Sequence, residues 1–273
     1  MNIAVMSPHC HGNGNTTIAA LIAAAMAKQN AKVCLTHVTD KSDSIYPYYS
    51  ITNSGTNTTD AIQLTKLIRT GGMQKNSLSN YCKNVSDNFD VFSLDSDTKI
   101  PETEVADVVS YITQNGPYDY IVFDVDENNL DDPAVKAVID GADCIILVLS
   151  QRITEINKFK ALKSAFISST RKVPKIVVMN KYRNVLGSLK DYAAMLGVKD
   201  TKHWHYVHDN YNIISCENTG QLLYLTEQIK KRNGEVVELD TDIQKIVKDI
   251  LSTKRNISKK RSISSMVEED LNE

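Results

Sequence analysis

Three apolar runs of strand length in the middle of the chain, with helical patterns between them, predict an α/β fold: a doubly wound, mainly parallel sheet with helices on both faces. The runs are YIVFDV at 120–125, CIILVL at 144–149 and KIVVM at 175–179. Continuous apolarity suits strands buried on both faces, the condition of a parallel sheet covered by its own crossover helices. Residues 133–139 and 154–168 read as two of those crossovers. Ligands of such sheets sit beyond the carboxyl ends of the strands.

The other elements follow in order. Residues 3–6 are a short β-prone run that Ser7-Pro8 ends, and 17–28, rich in Ala, Leu, Ile and Met, read as a buried helix. A second strand is expected at 32–38. Residues 46–59, rich in Tyr, Ser, Thr and Asn, read as loop. Ile62, Leu64, Leu67 and Ile68 share one side of a helix over 60–70. A strand at 89–94 and a helix at 102–114 complete the first half. Near the end, Thr241-x-x-Gln244 reads as a capping box before a stripe of Ile243, Ile246, Val247, Ile250 and Leu251. The domain is expected to span 1–252. Residues 253–273, basic at Lys254, Arg255 and 259–261 and acidic at Glu268, Glu269, Asp270 and Glu273, are expected to form a charged, disordered tail.

The chain has 273 residues, 42% of them hydrophobic and 23% charged, enough for a sizeable core. Its 31 Lys and Arg against 33 Asp and Glu leave a net charge of −2, so nothing global draws it to DNA or an anionic membrane. The five cysteines are odd in number and never form a CxxC pair, which argues against a disulfide framework or a structural zinc site. The first residues lack a signal-peptide pattern, and no stretch approaches the roughly 18 apolar residues of a membrane span. A soluble, cytoplasmic protein is expected.

The most informative segment is SPHCHGNGNTT at 7–17. A strand, a Gly-bearing loop and a helix are the parts from which phosphate sites are built. Gly12 and Gly14 allow backbone N–H groups to converge, and the helix end adds partial positive charge. Thr16 and Thr17 stand where they can cap the helix, contact a phosphate oxygen or hold Mg²⁺. Without a ligand the same segment is simply a tight strand-to-helix turn. A dinucleotide fingerprint would put a small residue where Thr17 stands, with Asp40 as the ribose acid. A second reading is a flavodoxin-like, FMN-binding oxidoreductase, because SPHCHGNGNT resembles the S-P-R-x-x-G-N-T loop of flavin-dependent reductases. The Pro-x-Tyr type turn of those proteins is absent after Leu149, so that resemblance covers one loop.

A third resemblance runs from residue 1 to about 230. Cys10 to Thr17 lines up with K-G-G-x-G-K-T-T, the deviant Walker A loop of the ParA/MinD family. Residues 118–124, YDYIVFD, resemble the strand ending in the Walker B aspartate. Residues 142–148, ADCIILV, resemble the strand after it. Residues 177–181, VVMNK, resemble the strand whose terminal Asn reads adenine, and 88–94, NFDVFSL, the strand before Walker B. The resemblance implies a P-loop fold that binds ATP or ADP with Mg²⁺ and works as a homodimer with a protein partner. Cys10, His11, Gly12, Asn13, Gly14, Asn15, Thr16, Thr17 and Asn180 would bind nucleotide, and Thr16 and Asp124 the metal.

The chain departs from the pattern at informative places. The two loop lysines are replaced by Cys10 and Asn15, and the D-x-D after the second strand becomes His37-Val38-Thr39. Phosphoryl transfer depends on positive charge placed around the transition state. A degenerate member is therefore implied, at most a slow ATPase, which positions or organises an assembly: pilus or secretion machinery, as in the TadZ/CpaE branch, or a plasmid or conjugative element. A nucleotide-free scaffold on the same fold is the alternative, and peripheral placement at the membrane or cell pole goes with either.

Other features carry weaker signals. His203, His205 and His208 in HWHYVH suggest either a metal site or a partly buried strand or loop. Cys10 with His9 or His11 would be needed for nucleophilic catalysis. Asp126, Glu127, Asp131 and Asp132 follow the Walker B strand, as Mg²⁺ partners or as a solvated loop. The stripe at 243–251 suits packing on the domain better than lying on a membrane, since the helix carries Asp242 and Asp249 and no bulky aromatics.

Overall fold

The structure is a computed structural model that describes residues 1–7, 12–37, 45–51, 58–74, 77–94, 100–125, 129–170, 173–222, 225 and 234–270. Eight strands form one sheet: β1 (Asn2–Met6), β2 (Val33–His37), β3 (Lys83–Ser86), β4 (Phe89–Phe92), β5 (Tyr120–Val125), β6 (Cys144–Ser150), β7 (Lys175–Tyr182) and β8 (Trp204–His208). Their order is β3-β4-β2-β5-β1-β6-β7-β8. All neighbours run parallel except β3 and β4, a hairpin at one edge. The predicted doubly wound, mainly parallel sheet is the one observed. Its strand order is not that of a flavodoxin, because β1 lies between two late strands, β5 and β6, and not between β2 and β3.

The helices are α1 (Asn15–Ala27), α2 (Thr58–Arg69), α3 (Glu102–Asn115), α4 (Pro133–Gly141), α5 (Ile153–Ser169), α6 (Leu189–Met195), α7 (Tyr211–Thr219) and α8 (Gly234–Asp270). Alternate residues of each strand feed two cores. On one face Ile3, Val5, Val122 and Ile146 meet α1, α7 and α8. On the other, Ala4, Met6, Phe123 and Ile145 meet α2 to α6. Helix α1 is buried from Thr17 to Ala27, which explains its alanines: small side chains let it sit between the sheet and α8. Helix α4 begins as its sequence directs, with Pro133 in the first turn and Asp132 accepting from the N–H groups of Ala134 and Val135 at 2.8 and 3.0 Å. Asp132 is thus a helix cap, and Asp131 pairs at the surface with Lys136. Asp126 and Glu127 lie outside the described residues.

Several expectations need correction. Tyr46–Tyr49 is a 3₁₀ helix and not loop, because Tyr46 and Tyr49 are buried in the core against β4, with Tyr49 edge-on to Phe89. The hairpin strand β3 and helices α6 and α7 are too short and too polar to show in the pattern. Thr241 does not cap a helix. It sits inside α8, where its hydroxyl donates to the Val237 carbonyl at 2.8 Å, and Gln244 donates to Asp240. The apolar stripe extends upstream through Val236 and Leu239, so the S/T-x-x-Q pattern falls mid-helix by coincidence. Helix α8 runs to Asp270, and residues 235–270 contain neither Gly nor Pro to stop it. No helix among the described residues is long and apolar enough to cross a membrane.

The histidine cluster belongs to this packing. Strand β8 is a sheet edge, and α8 lies against it. His203 Nδ1 is 3.0 Å from both carboxylate oxygens of Asp249, and His205 Nε2 is 2.8 Å from one of them. His208 Nδ1 is 2.7 Å from Asp242, with Glu238 at 3.3 Å from Nε2. The strand reading holds, and among the described residues no group of three His, Cys, Asp or Glu is placed to hold a metal ion. Burial pushes the Asp249 carboxyl up, but the hydrogen bonds and charge of His205 and His203 outweigh it and hold it below the usual carboxylate range. A carboxyl depressed on folding adds stability above its unfolded value, about 4, and that stability is lost as pH falls through the lower folded value. Docking of α8 is therefore expected to loosen below about pH 4, seen as faster amide exchange along 243–251. Asp249→Asn should remove that pH dependence, and an unchanged profile in the variant would contradict the assignment.

Candidate functional site

The carboxyl ends of β1, β2, β5 and β7 bring the predicted residues together. Gly12 and Gly14 have φ of 89° and 80°, left-handed values that glycine adopts without strain. Gly14 is the N-cap of α1, which has no side-chain cap, so the first N–H groups of the helix are left to a ligand or solvent. A Cβ on Gly14 would lie 2.3 Å from the Asn180 amide nitrogen. Gly14→Ala is accordingly expected to lower stability by about 2–3 kcal/mol, from left-handed strain plus a displaced hydrogen bond, read as a fall in melting temperature.

Asn13 is buried and donates to Ser7 Oγ at 2.7 Å, tying the loop to the end of β1. Asn15 opens α1, and its amide donates to the Val125 carbonyl of β5 at 3.4 Å, leaving its buried Oδ1 without a hydrogen-bond partner among the described residues. Thr16 is half-buried in the first turn of α1. Thr17 is buried and donates to Glu217 of α7, so its hydroxyl faces a helix that covers the loop. Asn180, at the end of β7, donates to the Asn13 carbonyl at 2.8 Å and accepts from the Lys181 N–H at 2.9 Å. Both polar ends of its amide are therefore spent on the protein in this conformation. Cys10 and His11 lie outside the described residues, as do Val38, Thr39 and Asp40.

Beneath the loop is the most consequential pair. His37 and Asp124 are register partners at the ends of β2 and β5. His37 Nδ1 lies 3.1 Å from Asp124 Oδ2, with side chains 2% and 0% exposed. His37 thus holds one oxygen of Asp124 at the buried ends of two neighbouring strands. Asp124 Oδ1 has no hydrogen-bond partner among the described residues. Asp124 Oδ1 and Asn15 Oδ1 are buried oxygen acceptors, a donor chemistry that suits a hard cation such as Mg²⁺. The sequence singles out Asn15, His37 and Asp124 but not Lys181, whose ammonium is 3.3 Å from the Gly12 carbonyl, nor Glu217 on Thr17. For Lys181 the signal was present in its place directly after Asn180. For Glu217 there was none.

A Gly-rich strand-to-helix turn beside the central strand of an eight-stranded, mainly parallel sheet defines a P-loop type of architecture. No family model matches the chain, and no curated protein matches its sequence. Solved structures do match. A ParA family ATPase from Chlorobium tepidum TLS superposes with a TM-score of 0.68 at 15% identity, over 90% of this chain and 96% of that one. A chain of the MinC:MinD cell division protein complex from Aquifex aeolicus gives 0.67 at 17%, over 92% and 95%. The septum site-determining protein MinD with Mg-ADP from Pyrococcus horikoshii OT3 gives 0.64 at 13%, over 91% and 95%. The chain has the ParA/MinD fold.

Proposed function

We propose that this chain is a nucleotide-binding protein of the ParA/MinD type that positions or organises a cellular assembly, as a homodimer with a protein partner, and turns ATP over slowly or not at all. The observation that carries the reading is an intact Gly12–Gly14 turn set over a substituted catalytic floor, His37 on Asp124. Gly12 to Thr16 would cradle the phosphates through backbone N–H groups and the start of α1. Thr16 and Asp124 would hold Mg²⁺, which when bound neutralises phosphate charge. Asn180 would serve the base only after releasing Asn13.

Hydrolysis is where the floor falls short. β2 ends on an imidazole, His37, and not on a carboxylate that could orient an attacking water, and the lysines at 10 and 15 that would stabilise developing charge are absent. The folds compared support the class, and the presence of MinC with MinD in one of those structures supports a protein partner here. Pilus or secretion machinery and a plasmid or conjugative element remain the proposed cargo classes. Phosphate release from the purified protein with ATP and Mg²⁺ is expected to stay near background. Turnover at the 1 s⁻¹ scale common for enzymes would overturn the degenerate reading.

The engagement of Asn180 by the loop favours a second reading, a scaffold that keeps the fold without nucleotide. Asn180→Ala separates the two. It weakens ATP binding if the side chain swings to the base, and changes only stability if the amide is a permanent brace.

A further inference from the structure

Strand β7 breaks its ladder at one place. Met179 pairs with Tyr206 and Tyr182 with His208, so three steps on β7 oppose two on β8 and one residue is extra. Such bulges sit next to functional sites and re-aim a side chain. Lys181 lies inside the bulge with φ of 54°, a left-handed conformation that a residue with a long side chain adopts at a cost. The surroundings hold it there, since Asn180 Oδ1 accepts from its N–H at 2.9 Å. The strained conformation has a visible consequence. The ammonium of Lys181 is brought to 3.3 Å from the carbonyl of Gly12, in the turn that would receive phosphate, while the side chain stays exposed to solvent.

This places a cation beside a loop whose own lysines are missing. Positions 10 and 15 are Cys and Asn. A glycine would fit the left-handed position without strain, and the chain carries a lysine there instead. We propose that Lys181 is the phosphate-binding cation of this site. It supplies from β7 the positive charge that the loop does not carry, exchanging the Gly12 carbonyl for a phosphate oxygen of a nucleoside di- or triphosphate. The inference rests on the nucleotide reading above.

Calorimetric titration with ATP and Mg²⁺ of the wild type, Lys181→Gln, Lys181→Gly and Lys181→Gln combined with Asn15→Lys tests it. Losing a charge-assisted contact is expected to weaken ATP binding about tenfold or more in both single variants. Lys181→Gly should also melt at the same or a higher temperature, because it relieves the left-handed strain. A purely structural lysine predicts the reverse, a lower melting temperature with affinity intact. The loop lysine in the combined variant should restore ATP affinity. Wild-type binding with unchanged affinity in both single variants overturns the proposal and leaves the nucleotide reading standing. No binding of ATP by the wild type overturns both.

Discussion

His37→Ala is expected to cost about 3–5 kcal/mol of folding stability, the largest effect of any single change in the site. The reason is the asymmetry of buried charge. Asp124 is fully buried at the end of β5, and His37 Nδ1 holds Oδ2 at 3.1 Å. Removing the imidazole strands a carboxylate that cannot reach water, on top of the cavity left by the ring. Removing both groups together strands nothing, so His37→Leu with Asp124→Leu should recover much of the loss. Asp124→Asn should fall between the two. Urea unfolding at neutral pH measures all three, and a loss below about 1 kcal/mol for His37→Ala would mean that water, and not the histidine, satisfies Asp124.

Asn15→Lys is expected to tighten ATP binding by about ten- to a hundredfold, the value of a charge-assisted hydrogen bond to a buried anion. Little is lost by the change, because the bond Asn15 makes to the Val125 carbonyl is long at 3.4 Å and its Oδ1 has no hydrogen-bond partner among the described residues. The lysine would stand in the first turn of α1, where the helix dipole disfavours a cation by about 0.3–1 kcal/mol without an anion present. The variant should therefore melt slightly below the wild type alone and above it with saturating ATP, since ligand binding to the folded state adds stability by mass action. Equal ATP affinity in both proteins would mean that Asn15 does not occupy the lysine's place in the loop.

The fold was legible where burial dictates sequence. The runs at 120–125, 144–149 and 175–179 are apolar because both sheet faces are covered, and each is a strand within a few residues of its expected bounds. Strand β3 was not legible, since a hairpin at a sheet edge needs no apolar run and Lys83–Ser86 is only half-buried. The extent of α8 was not legible for a related reason. A polar, charge-rich stretch lacks the signature of packing, yet nothing in 235–270 breaks a helix, so α8 continues to Asp270. In the site, Gly12 and Gly14 were found because loop chemistry marks them locally, whereas His37 and Asp124 were singled out only through the ParA/MinD resemblance. The pairing of His37 with Asp124 depends on β2 lying beside β5, and the grip of Asp249 on His203 and His205 on a helix more than forty residues away. Contacts of that range leave no local trace, and although Lys181 directly follows Asn180, its reach to the Gly12 carbonyl depends on the bulge in β7.

The most direct test of the account is calorimetric titration of the purified chain with ATP and Mg²⁺, with light scattering to follow mass. The account predicts saturable binding, a shift toward the mass of a dimer, and phosphate release that stays near background through the titration. A folded sample that gives no heat and keeps its mass would contradict a nucleotide-controlled protein and leave the scaffold.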